Sequence, residues 1–80
     1  MAAKYYNVIV VCVWDSCGVK QEQFLKYHNI KPDRLPGFWK FARKIPDLHH
    51  VNFYDKSKPK GKNFVKQVRA KEIQEGTAAI

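Results

Sequence analysis

Cys12 and Cys17, with Asp15 between them, lie in the stretch VIVVCVWDSCGVK from Val8 to Lys20, and three histidines follow at His28, His49 and His50. These are the residue types of nucleophilic, acid–base and metal chemistry. A helix starting at Ser16 would put Cys17 in its first turn, where unpaired N–H groups and the helix dipole favour a thiolate. A redox pair needs a resolving cysteine at C-x-x-C spacing, and a cysteine hydrolase needs a histidine base held by a third group. The sequence supplies neither arrangement. Cys17 therefore reads as a quiet thiol at a helix start, and Cys12, inside the apolar run, as a small core residue.

Asp15 ends that run where open sheets often carry a catalytic carboxylate, but a single carboxylate without a neighbour serves better as a helix cap. The five cysteines and histidines match no zinc finger, ribbon or knuckle spacing, and neighbouring histidines on a strand point to opposite faces. No metal and no cofactor are expected. The protein is read as non-catalytic, with Asp15 and Cys17 as the residual place for chemistry.

A stronger signal lies downstream. Between Asp55 and Lys71 stand Lys56, Lys58, Lys60, Lys62, Lys66 and Arg69, flanked by Phe53, Tyr54 and Phe64. Lysines neutralise phosphates while aromatic rings stack on unpaired bases, so this mixture suits a single-stranded nucleic acid. Tyr54 and Phe64 are the candidate stacking residues. A secondary basic face is expected from Lys40, Arg43 and Lys44, within a wider group that includes Lys26, Lys31 and Arg34.

KGKNFV, Lys60 to Val65, overlaps part of the RNA-recognition signature at Lys60, Gly61, Phe64 and Val65. Lys62, Asn63 and Gln67 replace two stacking rings and a small residue, and the expected order of elements differs from that fold. The overlap is read as coincidence.

Charge agrees with an anionic partner. Fifteen Lys and Arg against seven Asp and Glu give a formal net charge of +8 in 80 residues, a field that attracts nucleic acid or an acidic protein surface and says nothing of fold. At 45% hydrophobic and 14% aromatic the chain is too apolar for a disordered tail. Its length allows one modest core. The uninterrupted apolar run from Val8 to Trp14 falls far short of the roughly 20 residues needed to span a bilayer, so no membrane association is expected. Two cysteines do not make a secreted disulfide framework, and an intracellular, cytoplasmic setting follows, or a host cytoplasm if the protein is viral.

The elements that must position these residues follow from periodicity. Tyr5 to Trp14 lacks polar alternation after Asn7, as a strand buried on both faces does. Gly18 to about Asn29, capped by Asp15 or Ser16, carries a narrow stripe of Val19, Phe24, Leu25 and His28 and reads as a first helix. Asp33 is a ready cap for a second, in which Leu35, Phe38, Trp39, Ala42 and Ile45 form the apolar face and Pro46 the end. Phe41 falls off that face, where it could anchor a protein partner. His49 to Asp55 alternates, Val51 and Phe53 against His50, Asn52 and Tyr54, so it is a half-exposed strand. Lys56 to Asn63 is a turn, and Phe64 to about Ala70 a return strand. The alternative makes residues 63–75 a helix capped by Asn63 and ended by Gly76.

The expected fold is thus a small α+β domain over residues 1–75 in the order β-α-α-β-β, with a tail at 76–80. The first strand is central in a mainly antiparallel sheet with two helices on one face; the alternative order is β-α-α-β-α. The expected function is nucleic-acid binding, to RNA or single-stranded DNA, through the lysine-rich hairpin. The rival is a small regulator or inhibitor, of the viral or mobile-element accessory type, that docks on an acidic surface of a larger enzyme. A homodimer through an exposed sheet edge is also expected.

Overall fold

The computed structural model describes residues 5–79. Residues 1–4 of the expected domain, and Ile80 of the segment assigned to a tail, lie outside them. The order is β1 (Tyr6–Ser16), β2 (Val19–Ile30), a 3-10 turn (Pro32–Arg34), α1 (Leu35–Arg43), β3 (Leu48–Asp55), β4 (Phe64–Arg69) and α2 (Ala70–Glu75). All neighbouring strands are antiparallel, in the spatial order β2-β1-β3-β4.

The central place of β1 follows from its composition. Val8, Val10 and Cys12 are buried on the face that meets the helices, and Val11 is 5% exposed on the other. Across the sheet Val8 pairs with Phe53 and Val10 with Val51, and Val51 pairs with Val68. These residues, with Tyr6, Phe38, Ala42 and Ile73, form the core. Phe38 stands edge-on to Phe53 at 5.8 Å and to Trp39 at 5.6 Å. The expected stripe of α1 is its inner face: Phe38 and Ala42 are buried, and Leu35, Trp39 and Ile45 pack at the margin. Pro36 occupies the first turn, but no side chain caps the N-terminus, and Asp33, the expected cap, sits in the preceding 3-10 turn.

The expected first helix is a strand. Cys17 and Gly18 have φ of 52° and 80°, and they link Ser16 to Val19 as a two-residue hairpin turn of the type that needs positive φ at both positions. Asp15 and Ser16 are therefore the end of β1 rather than helix caps, and Asp15 lies opposite Lys20. Lys, Gln and Glu between Val19 and Phe24 favour a helix locally, but β1 offers an unpaired ladder of backbone groups that only a neighbouring strand can satisfy.

β3 reaches along β1 no further than Cys12, with Val13 N–H donating to the carbonyl of Asp47 at 2.9 Å. Beyond that point β1 and β2 run on as a two-stranded arm, and every residue from Asp15 to Phe24 is exposed. The arm lengthens the molecule to 50 Å. It also raises the radius of gyration to 13.4 Å, above the about 12 Å of a compact chain of this size.

The two readings of residues 63–75 each hold over part of the segment. Phe64–Arg69 is the return strand, and Ala70–Glu75 is a helix. The Glu72 carboxylate accepts from Arg69 N–H at 2.9 Å, and Gly76 ends the helix at φ 78°. Arg43 Nε donates to the carbonyl of Ile73 at 3.0 Å, tying α1 to α2. Thr77 N–H donates to Glu72 at 2.9 Å, and Ala78 packs against the core.

Candidate nucleic-acid interface

Both helices cover one face of the sheet, and among the described residues no element covers the other, the open face. The alternation of four strands decides what that face carries. From β1 come Asn7, Ile9, Val11 and Val13; from β2, Lys20, Glu22, Phe24 and Lys26; from β3, His50, Asn52 and Tyr54; from β4, Phe64, Gln67 and Arg69. Phe24 and Phe64 are 56% and 55% exposed. Tyr54 and Phe64 face each other across the ladder, edge-on at 5.7 Å between ring centres.

The lysine loop is built on Asp55. Its carboxylate accepts from Ser57 N–H at 2.9 Å and from Ser57 Oγ at 2.6 Å, the local bonding that makes aspartate a turn former. Asp55 N–H donates to Asn63 at 2.7 Å, and Lys62 N–H to Pro59 at 3.0 Å. Gly61 has φ of 94°, which suits it for the third position of that second turn. The loop thus has a fixed base and a folded tip, and Lys56, Lys58, Lys60 and Lys62 are all exposed on it. Lys56 Nζ hydrogen-bonds Asn29 Oδ1, joining the loop to the end of β2.

Where the loop meets the open face there is a recess of about 580 Å³, lined by Asn7, Ile9, Lys26, Tyr54, Lys60 and Phe64 among others. Asn7 Oδ1 and Asn52 Oδ1 are buried and accept no hydrogen bond from the described residues. A buried acceptor left without a donor costs about 1–3 kcal/mol.

The open face and the loop together hold Tyr54, Phe64, Arg69, Lys56, Lys58, Lys60 and Lys62 of the residues expected from the sequence. Lys66 is elsewhere: it pairs with Phe53, in unbroken register with the Val51–Val68 pair, and so lies on the covered face, where Nζ donates to the carbonyl of Ala79 at 2.9 Å. Lys40, Arg43 and Lys44 lie on or at the end of α1, on the covered side of the sheet, and Arg43 is engaged with Ile73. The molecule does not bring this basic group to the hairpin lysines. Sequence reasoning set Asn52 beside His50 and Tyr54 on the exposed side of its strand but missed Lys26, Asn7 and Phe24 as face residues. Once residues 19–30 are taken as a strand, period-two alternation identifies Lys26 and Phe24.

His50 sits among these groups. Its pKa lies below the ordinary histidine value because of burial first, then of His49 and Arg69, with Glu22 opposing them. His49 Nδ1 and His50 Nδ1 are 2.7 Å apart, one ring donating to the other.

The chemistry weighed at Cys17 loses its basis. The thiol is at the exposed tip of the arm, with no helix beginning there. Cys12 is buried, and burial first, then Asp47, pushes its pKa up, favouring the neutral thiol. Both cysteines are free. Among the described residues no three His, Cys, Asp or Glu side chains gather as a metal site, and no helix is long and apolar enough to cross a membrane. Comparison with protein-family models, with curated proteins and with solved structures finds no significant match.

Proposed function

We propose that this protein is a non-catalytic binder of single-stranded nucleic acid, RNA or DNA, which it holds across the open sheet face and under the lysine loop. The observation that carries the reading is the meeting of Tyr54, Phe64, Lys26 and Lys60 around one recess. Exposed rings give bases a stacking surface, and cations at the rim neutralise the phosphates that follow. Lys58, Lys62 and Arg69 extend the cationic track on either side.

A single strand is favoured over a duplex for two reasons. A recess in a sheet face admits a base that has left its stack, which a duplex does not offer without paying to unpair it. The two-stranded arm has the shape of a major-groove ribbon, but its exposed part sets Asp15 and Glu22 against Lys20 alone, a poor match to phosphate.

The test is fluorescence anisotropy with labelled single-stranded RNA, single-stranded DNA and duplex DNA over a range of salt. The reading expects tighter binding of the single strands and a linear fall of log K with log salt. Absence of binding at low salt, or tighter binding of the duplex, overturns it. The rival docking on an acidic protein surface draws support from Phe41, 45% exposed on α1. A lysate pull-down in which nuclease leaves one stoichiometric protein partner, with no nucleic acid bound by the pure protein, favours that rival.

A further inference from the structure

β2 is one edge of the sheet. Edge strands of monomers are commonly short, bulged or lined with like charges, which blocks pairing with another copy. This edge is twelve residues long, and its irregularity lies beyond Tyr27, between the Tyr6–Ile30 and Val8–Tyr27 pairs. Val19 to Tyr27 is left as a regular strand.

The hairpin fixes which groups point outward. Ser16 and Val19 flank a two-residue turn, so they form a hydrogen-bonded pair. Odd residues of β2 then direct N–H and C=O to β1, and even residues direct theirs to the free edge. Those even residues, Lys20, Glu22, Phe24 and Lys26, also carry the side chains of the open face.

We propose that the protein forms a two-fold dimer by antiparallel pairing of β2 with β2 of a second copy, centred on Phe24, giving one continuous eight-stranded sheet. A two-fold axis through Phe24 places Phe24 opposite its own copy, Glu22 opposite Lys26 and Lys26 opposite Glu22. Every even residue then meets an even residue, so outward N–H and C=O groups bond reciprocally, as an isologous interface requires. The centres between Phe24 and the tip of the arm fail on charge or packing. Centring on Gln23 sets Lys20 against Lys26 twice; centring on Glu22 sets that residue against itself. Centring on Gln21 pairs Lys20 with Glu22 but leaves Phe24 opposite Gly18 and confines the pairing to the arm.

The pairing also removes two liabilities. Phe24, 56% exposed, gains an aromatic partner, and the arm, a two-stranded ribbon that is marginal alone, gains a third strand. The arm of one copy, with Asp15 and Glu22, comes alongside the half of β2 that leads to the lysine-rich end of the other. The dimer does not depend on nucleic-acid binding.

The test is sedimentation velocity on nuclease-treated full-length protein over a concentration series, with thermal melts to confirm that each variant folds. Wild type is expected to show a concentration-dependent dimer. By symmetry each of E22K and K26E turns two attractive pairs into two repulsive ones, so each alone is expected to weaken dimerisation about tenfold or more. An equimolar mixture of the two restores a dimer, because one variant then presents only lysine at positions 22 and 26 and the other only glutamate, so both cross-strand pairs are attractive. The double variant E22K/K26E dimerises by itself. A wild type monomeric at all concentrations overturns the proposal. So does a mixture that fails to recover association. Loss of dimer in E22K with K26E unaffected points to the register centred on Gln21 and also overturns it.

Discussion

Replacing Phe64 with alanine separates stacking from charge. Phe64 is 55% exposed, so the free protein gains only about half of the roughly 1.5–3 kcal/mol that full burial of such a side chain provides. The edge-on contact with Tyr54 at 5.7 Å belongs to the same interaction. A stability loss of about 1 kcal/mol is expected, which lowers the melting temperature of a domain this size by roughly 4–8 °C. If the ring carries a base, the complex loses about 1–3 kcal/mol on top, and at about 1.4 kcal/mol per tenfold change the dissociation constant rises roughly 5- to 150-fold. No charge is removed, so the dependence of log K on log salt keeps its slope. Anisotropy titrations with a labelled single strand at several salt concentrations, run beside thermal melts, read all three quantities. F64Y keeps the aromatic face and is expected to stay near wild type. A folded F64A variant that binds within twofold of wild type refutes stacking at Phe64 and reduces the site to an electrostatic surface.

Three further outcomes follow from the structure. The triple variant K58Q/K60Q/K62Q is expected to bind more weakly and to lower the salt slope by about 0.7 for each phosphate no longer neutralised, about 2 in total if all three lysines touch phosphates; an unchanged slope places the strand elsewhere. Cys17 holds φ 52° in a turn that favours asparagine before glycine, so C17N is expected to stabilise the protein by about 1 kcal/mol, read by urea denaturation. His50 has a lowered folded pKa, so below the ordinary value of about 6.5 the unfolded chain holds more protons than the folded one. Stability is then full above that pH and declines as pH falls toward the lowered value. Urea denaturation over that interval checks it, and H50Q is expected to flatten the decline.

The parts of the fold legible in the sequence are those where local pattern and packing agree. β1 announces itself as an apolar run, α1 as a 3.6-residue stripe ending at a proline, and the β3–β4 hairpin as alternation around a proline- and glycine-containing turn. β2 is illegible for a physical reason: its far half has no helix above it, so its inward positions Gln21 and Gln23 need not be apolar and the alternation vanishes. Reading β2 as a helix also hides part of the interface, because Lys26 and Phe24 then pass for helix residues and Cys17 for a thiol at a helix start.

The sequence by itself determined the excess of cations, the rings that flank them and the core residues of β1, α1 and β3, because these depend on composition and short-range period. The tertiary structure alone decided which of them act together. Strand pairing put Lys26 and Asn7 beside Tyr54 and Phe64, the β3–β4 register set Lys66 opposite Phe53 on the covered face, and the helices took Lys40, Arg43 and Lys44 to the covered side of the sheet. Those outcomes rest on register and on which face is covered, and a shift of one residue in a strand, which reverses every side chain, leaves the local sequence unchanged.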